Sequence, residues 1–430
     1  MRVLSLGVGC FLACALPSLA CDLPETRPSH LSFEPAAGFD TEKFAKRVRR
    51  ELGDGFMGYA VSLRDVGGDL IAQINAGYAR TPCEPGGAQR FNGKTQSPIG
   101  SVSKAFTAAL AIHQAELLPG LSLEDPFVDY LPEKWRAQVH PTLARVTLRE
   151  MLQHRAGFAH SGKTLFGHDY GYLDRLRLGE ESYLVRAANL AKGESDCVPA
   201  PSFVIETLPP AVTGASETQR IDWSFRRCYA NASLALWNYS TASLHPATWA
   251  RIEDTLNTEI PYGIAVRRTA QLQYRKMARE KIFEPAGVIA GCNRPHQTEN
   301  YAHVYDDRAD ERGRDPTGEE QKCAVGGWLI STQGLTSALH RIVHTRDVVD
   351  DNYSAMFLKS SARLVFSNAE TMSDGVAVRH GGSRWGGKAK AVIFALPNGM
   401  VAAGIVNSSK TGDGVGVEAA IRAAYEAALP

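Results

Sequence analysis

The sequence GSVSKAF, residues 100–106, opens a strongly helical run of the chain and holds its one Ser-x-x-Lys motif. In a helix, residues three apart lie on one face, so Ser101 and Lys104 become neighbours about one turn apart. The free N–H groups at a helix N-terminus favour negative charge. This arrangement suits a serine nucleophile, whose proton must leave and whose product is an oxyanion. Taken alone, the motif also fits an N-cap serine beside a solvated lysine, so its meaning depends on the rest of the chain.

Two further motifs lie far from Ser101 in the sequence. Tyr229-Ala230-Asn231 is the only Tyr-x-Asn of the chain, and His380-Gly381-Gly382 follows a segment of alternating residues that predicts a strand. The stretches GLSLEDP, residues 120–126, and VTLREMLQHRAG, residues 146–157, stand between these motifs or near them. In order and context, from about residue 40 to the C-terminus, the chain resembles the serine β-lactamase and penicillin-binding protein superfamily. The resemblance is to the class C β-lactamase-related branch, which also holds D,D-peptidases, D-aminopeptidases and esterases.

The two ends of the chain carry the strand signals. Residues 58–80 alternate around Gly67-Gly68 and predict a hairpin. Three more strands are predicted at 376–383, 389–396 and 400–406, the last two joined by the tight-turn signal Pro397-Asn398-Gly399. The predicted helices are residues 40–52, 101–118 and 419–428. Strands at both ends with helices between them predict an antiparallel sheet with an inserted helical part. The resemblance implies the same architecture, an α/β (α+β) β-lactamase/transpeptidase-like fold with the active site between the two parts.

Length and composition are those of a globular protein: 430 residues, 44% hydrophobic and 22% charged. We expect a signal peptide at 1–20, an extended N-terminal arm at 21–39 and a single catalytic domain at 40–430. Its α/β part covers about 40–105 and 324–430, and its helical part about 106–323. The formal net charge of +1 predicts no nucleic-acid partner.

The first residues resemble a secretory signal. Arg2 precedes an apolar stretch from Val3 to Leu16, and Ser18-Leu19-Ala20 offers small residues at a cleavage site. The apolar stretch is too short to span a bilayer, and no later segment is long enough. We therefore expect export, to the periplasm or outside the cell, and no integral membrane segment once the signal is removed. A lipoprotein acylated at Cys21 is the alternative, but it fits poorly because leucine lies two residues before the cysteine instead of three.

Removal of residues 1–20 leaves six of the 8 cysteines, an even set compatible with three disulfides in an oxidising compartment. Acylation of Cys21 would leave one thiol without a partner. Fifteen pairings are possible, and the sequence alone does not choose among them. Our hypothesis pairs Cys197 with Cys228 and Cys292 with Cys323, so that each bridge closes one insertion, and leaves Cys21 with Cys83.

The resemblance assigns a role to each motif residue. Ser101 is the nucleophile and Lys104 its partner. Tyr229 is the candidate base and, later, the acid that protonates the leaving group; Lys104 either removes the proton itself or stabilises a Tyr229 phenolate. Asn231 offers a donor and an acceptor, so its amide can hold Lys104 and a substrate amide together.

The oxyanion site is expected at the backbone N–H groups of Ser101 and Ser383, with Gly381 and Gly382 allowing a substrate carbonyl to approach the strand closely. No metal or cofactor is required. Class C β-lactamases carry Lys-Thr-Gly where His380 begins its motif, and histidine is mostly uncharged near neutral pH, so recognition of a carboxylate should weaken. His-x-Gly in this place resembles the peptidases and some esterases of the superfamily. The literal Lys410-Thr411-Gly412 follows the last strand, and we interpret it as a loop.

We therefore expect an exported serine hydrolase that works through an acyl-enzyme at Ser101. Its substrate is a small molecule or a peptide: a cell-wall peptide or D-amino-acid amide, or a carboxylic ester. The alternatives are a β-lactamase and a non-hydrolytic protein that binds penicillins or muropeptides. We expect a monomer.

Overall fold

The structure is a computed structural model, and its described residues leave gaps along the chain. They are 21, 23–24, 27–131, 136, 146–155, 229, 231–247, 249–250, 262–292, 295, 298–317, 323–349, 368–412 and 415–430. The predicted signal peptide at 1–20 and the predicted Cys197–Cys228 bridge lie outside them. Among the described residues, no helix combines the length and the apolarity needed to cross a bilayer.

Strands from the two chain ends form one antiparallel sheet, as the sequence predicts. The strands are β1 (Ser29–Phe33), β2 (Gly58–Arg64), β3 (Leu70–Arg80), β4 (Gln89–Arg90), β5 (Ser97–Pro98), β6 (Gly291–Cys292), β7 (Trp328–Ile330), β8 (Asn368–Met372), β9 (Gly375–Arg384), β10 (Ala389–Ala395) and β11 (Val401–Val406). The large sheet has the order β1-β3-β2-β11-β10-β9-β8, with β4 paired to β3. A small second sheet has the order β5-β7-β6.

Helices cover both faces of the large sheet. They are α1 (Thr41–Leu52), α2 (Ser103–Leu117), α3 (Leu148–Leu152), α4 (Asn231–Ala235), α5 (Trp237–Ser243), α6 (Tyr262–Ala278), α7 (Thr332–His344) and α8 (Val417–Ala428). Because successive side chains of a strand point to opposite faces, each central strand contributes to two cores. In β10, Ile393 packs in the core that holds α2 and α7. Its neighbour Phe394 packs in the core that holds α1 and α8.

The N-terminal arm does more than extend along the surface. Residues 29–33 pair with β3 in antiparallel register and form an edge strand of the sheet. Leu31 and Phe33 of this strand pack partly buried against the core beneath α1 and α8, which explains why the segment is ordered there. The sheet therefore begins before residue 40, the start of the predicted catalytic domain.

Two of the three predicted disulfides are present. Cys21 is bonded to Cys83, and Cys292 to Cys323. The first bridge attaches the N-terminal arm to the segment after β3. The second bridge attaches β6 to the segment that leads into β7, beside the nucleophile helix. These two bridges agree with the even cysteine set expected of an oxidising compartment.

His113, a buried histidine of α2, should make the stability of the protein depend on pH. The Nδ1 of His113 donates to the Val348 carbonyl at 2.7 Å, and no described group bonds its buried Nε2. Burial lowers the pKa of His113, because the interior disfavours the charged ring. The unfolded chain therefore takes up the proton first as the pH falls. This part of the stability is complete above about pH 6.5, the pKa of an unperturbed histidine, and is lost as the pH drops below it.

We expect the free energy of unfolding in denaturant to fall between pH 7.5 and pH 5. The loss should be smaller for His113→Asn, because an amide can keep the bond to Val348 and does not titrate. An identical pH dependence for the two proteins would contradict the assignment.

Candidate active site

Ser101 lies in a short turn that precedes the nucleophile helix. Residues 100–102 form a 3-10 turn, and α2 begins at Ser103, two residues later than Ser101. Gly100 has a φ of +52°, and a Cβ placed on it would lie 2.5 Å from the backbone nitrogen of Ser383. Both facts require glycine at this position. The turn therefore presents Ser101 at the end of β9 rather than in the middle of a helix surface.

Lys104 is buried and its amine points at Ser101. The side chain is 3% exposed, and Nζ donates to Ser101 Oγ at 3.1 Å and to the Val325 carbonyl at 2.7 Å. The salt bridges among the described residues include none to Lys104. The amine is thus held one helical turn from the hydroxyl, as the Ser-x-x-Lys spacing predicts.

Tyr229 completes the contacts of the Ser101 hydroxyl. Its phenol donates to Ser101 Oγ at 2.8 Å, and the ring centroid lies 5.1 Å from Lys104 Nζ. One serine oxygen therefore contacts both an amine three residues away in the sequence and a phenol 128 residues away. This convergence is what the sequence analysis predicted for Ser101, Lys104 and Tyr229.

His154 packs against the ring of Tyr229. The two ring centroids lie 4.5 Å apart, and His154 is 5% exposed with a φ of +57°. Few residues other than glycine adopt such a φ, and those that do are found in tight turns or near functional sites. The sequence analysis did not place His154 in the site.

The segment 323–327 supports the nucleophile helix from the other side. The carbonyl of Val325 accepts from Lys104, and that of Ala324 accepts from Thr107 Oγ1 at 2.6 Å. Arg384, at the end of β9, donates to the Gly326 carbonyl at 2.8 Å. The Cys292–Cys323 bridge anchors this segment. Any residue type can provide a backbone carbonyl, so no sequence motif predicts these contacts. Cys323 is the one residue of this segment that the sequence analysis used.

The backbone of β9 is packed directly on the Ser101 turn. A Cβ on Gly382 would overlap the Ile99 carbonyl oxygen and lie 2.9 Å from the nitrogens of Ser101 and Val102. The strand can approach the turn so closely because Gly382 has no side chain. The nitrogens of Ser101 and Ser383, the two expected oxyanion donors, therefore lie at this contact.

A cleft of about 480 Å³ opens at the same place. Its lining residues include the groups predicted from the sequence: Ser101, Tyr229, His380, Gly381, Gly382 and Ser383. The cleft also reaches Lys390 of β10 and Glu418 of α8, which the sequence analysis did not single out. His380 is 3% exposed, and its Nδ1 lies 2.9 Å from the Gly381 carbonyl.

The predicted site residue Asn231 does not line the cleft, and neither does the Lys410-Thr411-Gly412 segment, which was predicted to be a loop. Asn231 begins α4, is 8% exposed, and its Oδ1 accepts no hydrogen bond from a described residue. Among the described residues, Lys104 Nζ donates to Ser101 Oγ and to the Val325 carbonyl, and the expected bond between its amine and the Asn231 amide is absent. Thr411, in the literal Lys-Thr-Gly, donates its N–H to the Gly55 carbonyl at 2.9 Å, and this exposed loop does not line the cleft.

The contact between β9 and the Ser101 turn predicts the effect of an added methyl group. We expect Gly382→Ala to destabilise the protein by about 1–3 kcal/mol, as overpacking does. A shift of the strand should also lower hydrolysis about 100-fold. Gly381→Ala is the matched control for stability, because its Cβ would meet only Glu418 Oε2, at 3.9 Å. Equal unfolding temperatures for the two variants would contradict the close packing at Gly382.

The chain is similar to known proteins in sequence over one segment and in fold over most of its length. The sequence profile of the β-lactamase family matches residues 57–186. No curated protein matches the chain in sequence.

Solved structures share the fold along most of the chain. One is a class C β-lactamase from Rhodobacter sphaeroides, with 16% identity, a TM-score of 0.52, and coverage of 90% of this chain and 98% of that one. A second is a D-stereospecific amidohydrolase from Streptomyces sp., with 16% identity, a TM-score of 0.53, and coverage of 89% and 98%. A third is EstCE1, described as a hydrolase with promiscuous acyltransferase activity, with 16% identity, a TM-score of 0.54, and coverage of 90% and 99%. The predicted β-lactamase/transpeptidase-like fold is confirmed.

Proposed function

We propose that the chain is a serine hydrolase of the serine β-lactamase and penicillin-binding protein superfamily, exported and forming an acyl-enzyme at Ser101; the β-lactamase profile match over residues 57–186 supports this. The observation that carries this proposal is the double contact of one oxygen. Ser101 Oγ is bonded by Lys104 Nζ at 3.1 Å and by the Tyr229 phenol at 2.8 Å. A serine with this environment has a path for its proton to leave.

The reaction follows from these contacts. Ser101 Oγ attacks the substrate carbonyl carbon, and its proton passes to the Tyr229 and Lys104 pair. The carbonyl oxygen becomes an oxyanion, which the N–H groups of Ser101 and Ser383 stabilise. The bond to the leaving group then breaks as Tyr229 returns the proton to it. Water repeats the same steps on the ester of Ser101 and releases the acid.

The substrate class we propose is an amide or an ester: a cell-wall peptide or D-amino-acid amide, or a carboxylic ester. The histidine at position 380 supports this choice over a β-lactam, because near neutral pH an imidazole is in general a weaker partner for a carboxylate than a lysine ammonium is.

Two features support export. The first residues resemble a secretory signal, and the described cysteines form two disulfides. Disulfides persist in oxidising compartments such as the periplasm or the cell exterior. Cys21 takes part in one of the bridges, which supports the secreted or periplasmic form over a lipoprotein acylated at this residue.

Three probes test the proposal. Purified protein is incubated with a p-nitrophenyl ester, a D-alanyl dipeptide amide and a chromogenic cephalosporin, while the intact mass is followed. We expect turnover of the ester or the amide, and slower turnover of the cephalosporin. A stable adduct without turnover would favour the alternative of a penicillin-binding protein. Absence of both adduct and turnover with every probe would contradict a catalytic role.

A further inference from the structure

The cleft continues from the reacting groups round the edge of β9. Because side chains alternate along a strand, His380 and Gly382 lie on the face of Ser101, while Gly381 and Ser383 lie on the face of α8. The pairing of β8 with β9 ends at Arg379. Among the described residues, β9 therefore has a neighbouring strand beyond this point only at β10. A substrate that lies along this edge can contact both faces.

The face beside α8 carries a carboxylate that is only partly neutralised. Glu418 Oε1 is bonded to Arg379 Nη2 at 2.8 Å. Its other oxygen, Oε2, lies over Gly381 at 3.9 Å from the position a Cβ would occupy there. No described residue donates to Oε2, and the side chain is 43% exposed.

The guanidinium of Arg379 does not cancel the charge of Glu418. Arg379 also pairs with Glu370 at 3.2 Å, so it is shared between two carboxylates. Glu370 has a second cationic partner in Arg422, at 2.7 Å. Glu418, the carboxylate that faces the cleft, thus has fewer cationic partners than Glu370. The absence of a side chain at Gly381 leaves room above the strand for a ligand.

Lys390 places a positive charge in the same part of the cleft as Glu418. This part of the cleft, between Glu418 and Lys390, is called the arm. Lys390 is opposite Ser383 in the β9–β10 register, on the face that also holds Gly381. Lys390 is an exposed residue, and no described residue forms an ion pair with it. Ser383 follows Gly381 by two residues, so the backbone positions beside Lys390 and beside Glu418 are roughly 7 Å apart along the strand, at about 3.3 Å per residue.

We propose that this arm selects substrates that carry both an ammonium and a carboxylate group, with Glu418 binding the ammonium and Lys390 the carboxylate. The inference rests on the proposed function and names its substrate class: a peptide amide or ester with a dipolar, amino-acid-like end. A neutral acyl ester lacks both contacts and is a poorer substrate. A ligand with only a carboxylate meets Glu418 and gains less from Lys390.

The test uses a series of D-alanyl p-nitroanilides whose N-terminal group is acetyl, β-alanyl, succinyl or γ-glutamyl. These groups are neutral, cationic, anionic and dipolar. A second series carries equivalent groups on an amide leaving group, because either side of the scissile bond can occupy the arm. In one of the two series we expect kcat/KM to be about 10-fold higher for the dipolar member than for the neutral one, as for a hydrogen bond to a charged group.

Variants of Glu418 and Lys390 show which residue binds the ammonium of the substrate and which binds its carboxylate. Glu418→Gln should remove the advantage of the cationic and dipolar probes and leave the neutral probe within about 2-fold. Lys390→Met should remove the advantage that the carboxylate gives the dipolar probe, and should also leave the neutral probe within about 2-fold. Glu370→Gln is the matched control, because it removes the other carboxylate partner of Arg379, which does not line the cleft. We expect it to leave the order of the probes unchanged.

Three results would overturn the proposal: equal rates for neutral and dipolar probes in both series, a loss with Glu418→Gln that is as large for the neutral probe, or the same loss with Glu370→Gln. The neutral probe separates the two proposals, since its turnover depends on Ser101 and not on the arm. Calorimetric binding of unreactive γ-glutamyl-D-alanine amide to the Ser101→Ala protein tests the arm without turnover. About 10-fold weaker binding after adding Glu418→Gln supports it, and equal binding contradicts it.

Discussion

Hydrolysis of every substrate should fall by about four to six orders of magnitude in Ser101→Ala, the range found when a nucleophilic serine is removed. The reason is that no other hydroxyl in the described part of the chain contacts both Lys104 and Tyr229. The fold should persist, because Ser101 is only half-buried in its turn and alanine removes no backbone contact. Initial rates and the thermal unfolding midpoint, measured on the same preparation, check both expectations.

Ser103 is the matched control for this substitution. It lies two residues away in the same motif, but its Oγ accepts from the backbone N–H of Trp328 at 3.3 Å. Ser103→Ala leaves that buried N–H without its partner, which costs about 1–3 kcal/mol of stability. We expect it to keep most of the activity. If Ser103→Ala abolished acylation and Ser101→Ala retained it, the nucleophile would be wrongly assigned.

Tyr229→Phe should lower the acylation rate by about 100- to 10,000-fold, the usual contribution of a positioned acid–base group. The substitution removes the oxygen that lies 2.8 Å from Ser101 Oγ and keeps the ring that packs between His154 and Lys104. The expected loss is therefore in kcat, with little change in the unfolding temperature. Pre-steady-state release of p-nitrophenol measures the acylation step directly.

A second tyrosine supplies the control. The hydroxyl of Tyr425 in α8 donates to Asp374 at 2.5 Å, and this residue does not line the cleft. Tyr425→Phe should lower stability by about 1 kcal/mol and leave the rate of acylation unchanged. Should Tyr229→Phe acylate as fast as the unaltered protein, Lys104 would have to act as the base alone.

The parts of the fold that could be predicted from sequence are those with local patterns. The strand at 376–383 alternates, the turn at Pro397-Asn398-Gly399 is marked by its residue types, and the terminal helix has an apolar stripe. All three are present with small shifts at their ends. The resemblance added the long-range step, because no local pattern says that Tyr229 meets Ser101.

What the sequence did not reveal depends on tertiary contacts. Ser101 lies in a 3-10 turn where β9 packs on Gly100, and the helical periodicity of the sequence does not predict that contact. The carbonyl of Val325 is a partner of Lys104 that any residue type could provide. Glu418 is an ordinary first-turn acidic residue by pattern, and only the position of α8 beside β9 brings it to the cleft.

The measurement that tests the central claim most directly is the site of covalent attachment. The protein is quenched during turnover of a p-nitrophenyl ester, its intact mass is recorded, and the modified peptide is sequenced. Our account predicts one acyl group on Ser101, absent from Ser101→Ala and present on Ser103→Ala. An acyl group on any other residue, or turnover with no acylated protein at any quench time, would contradict it.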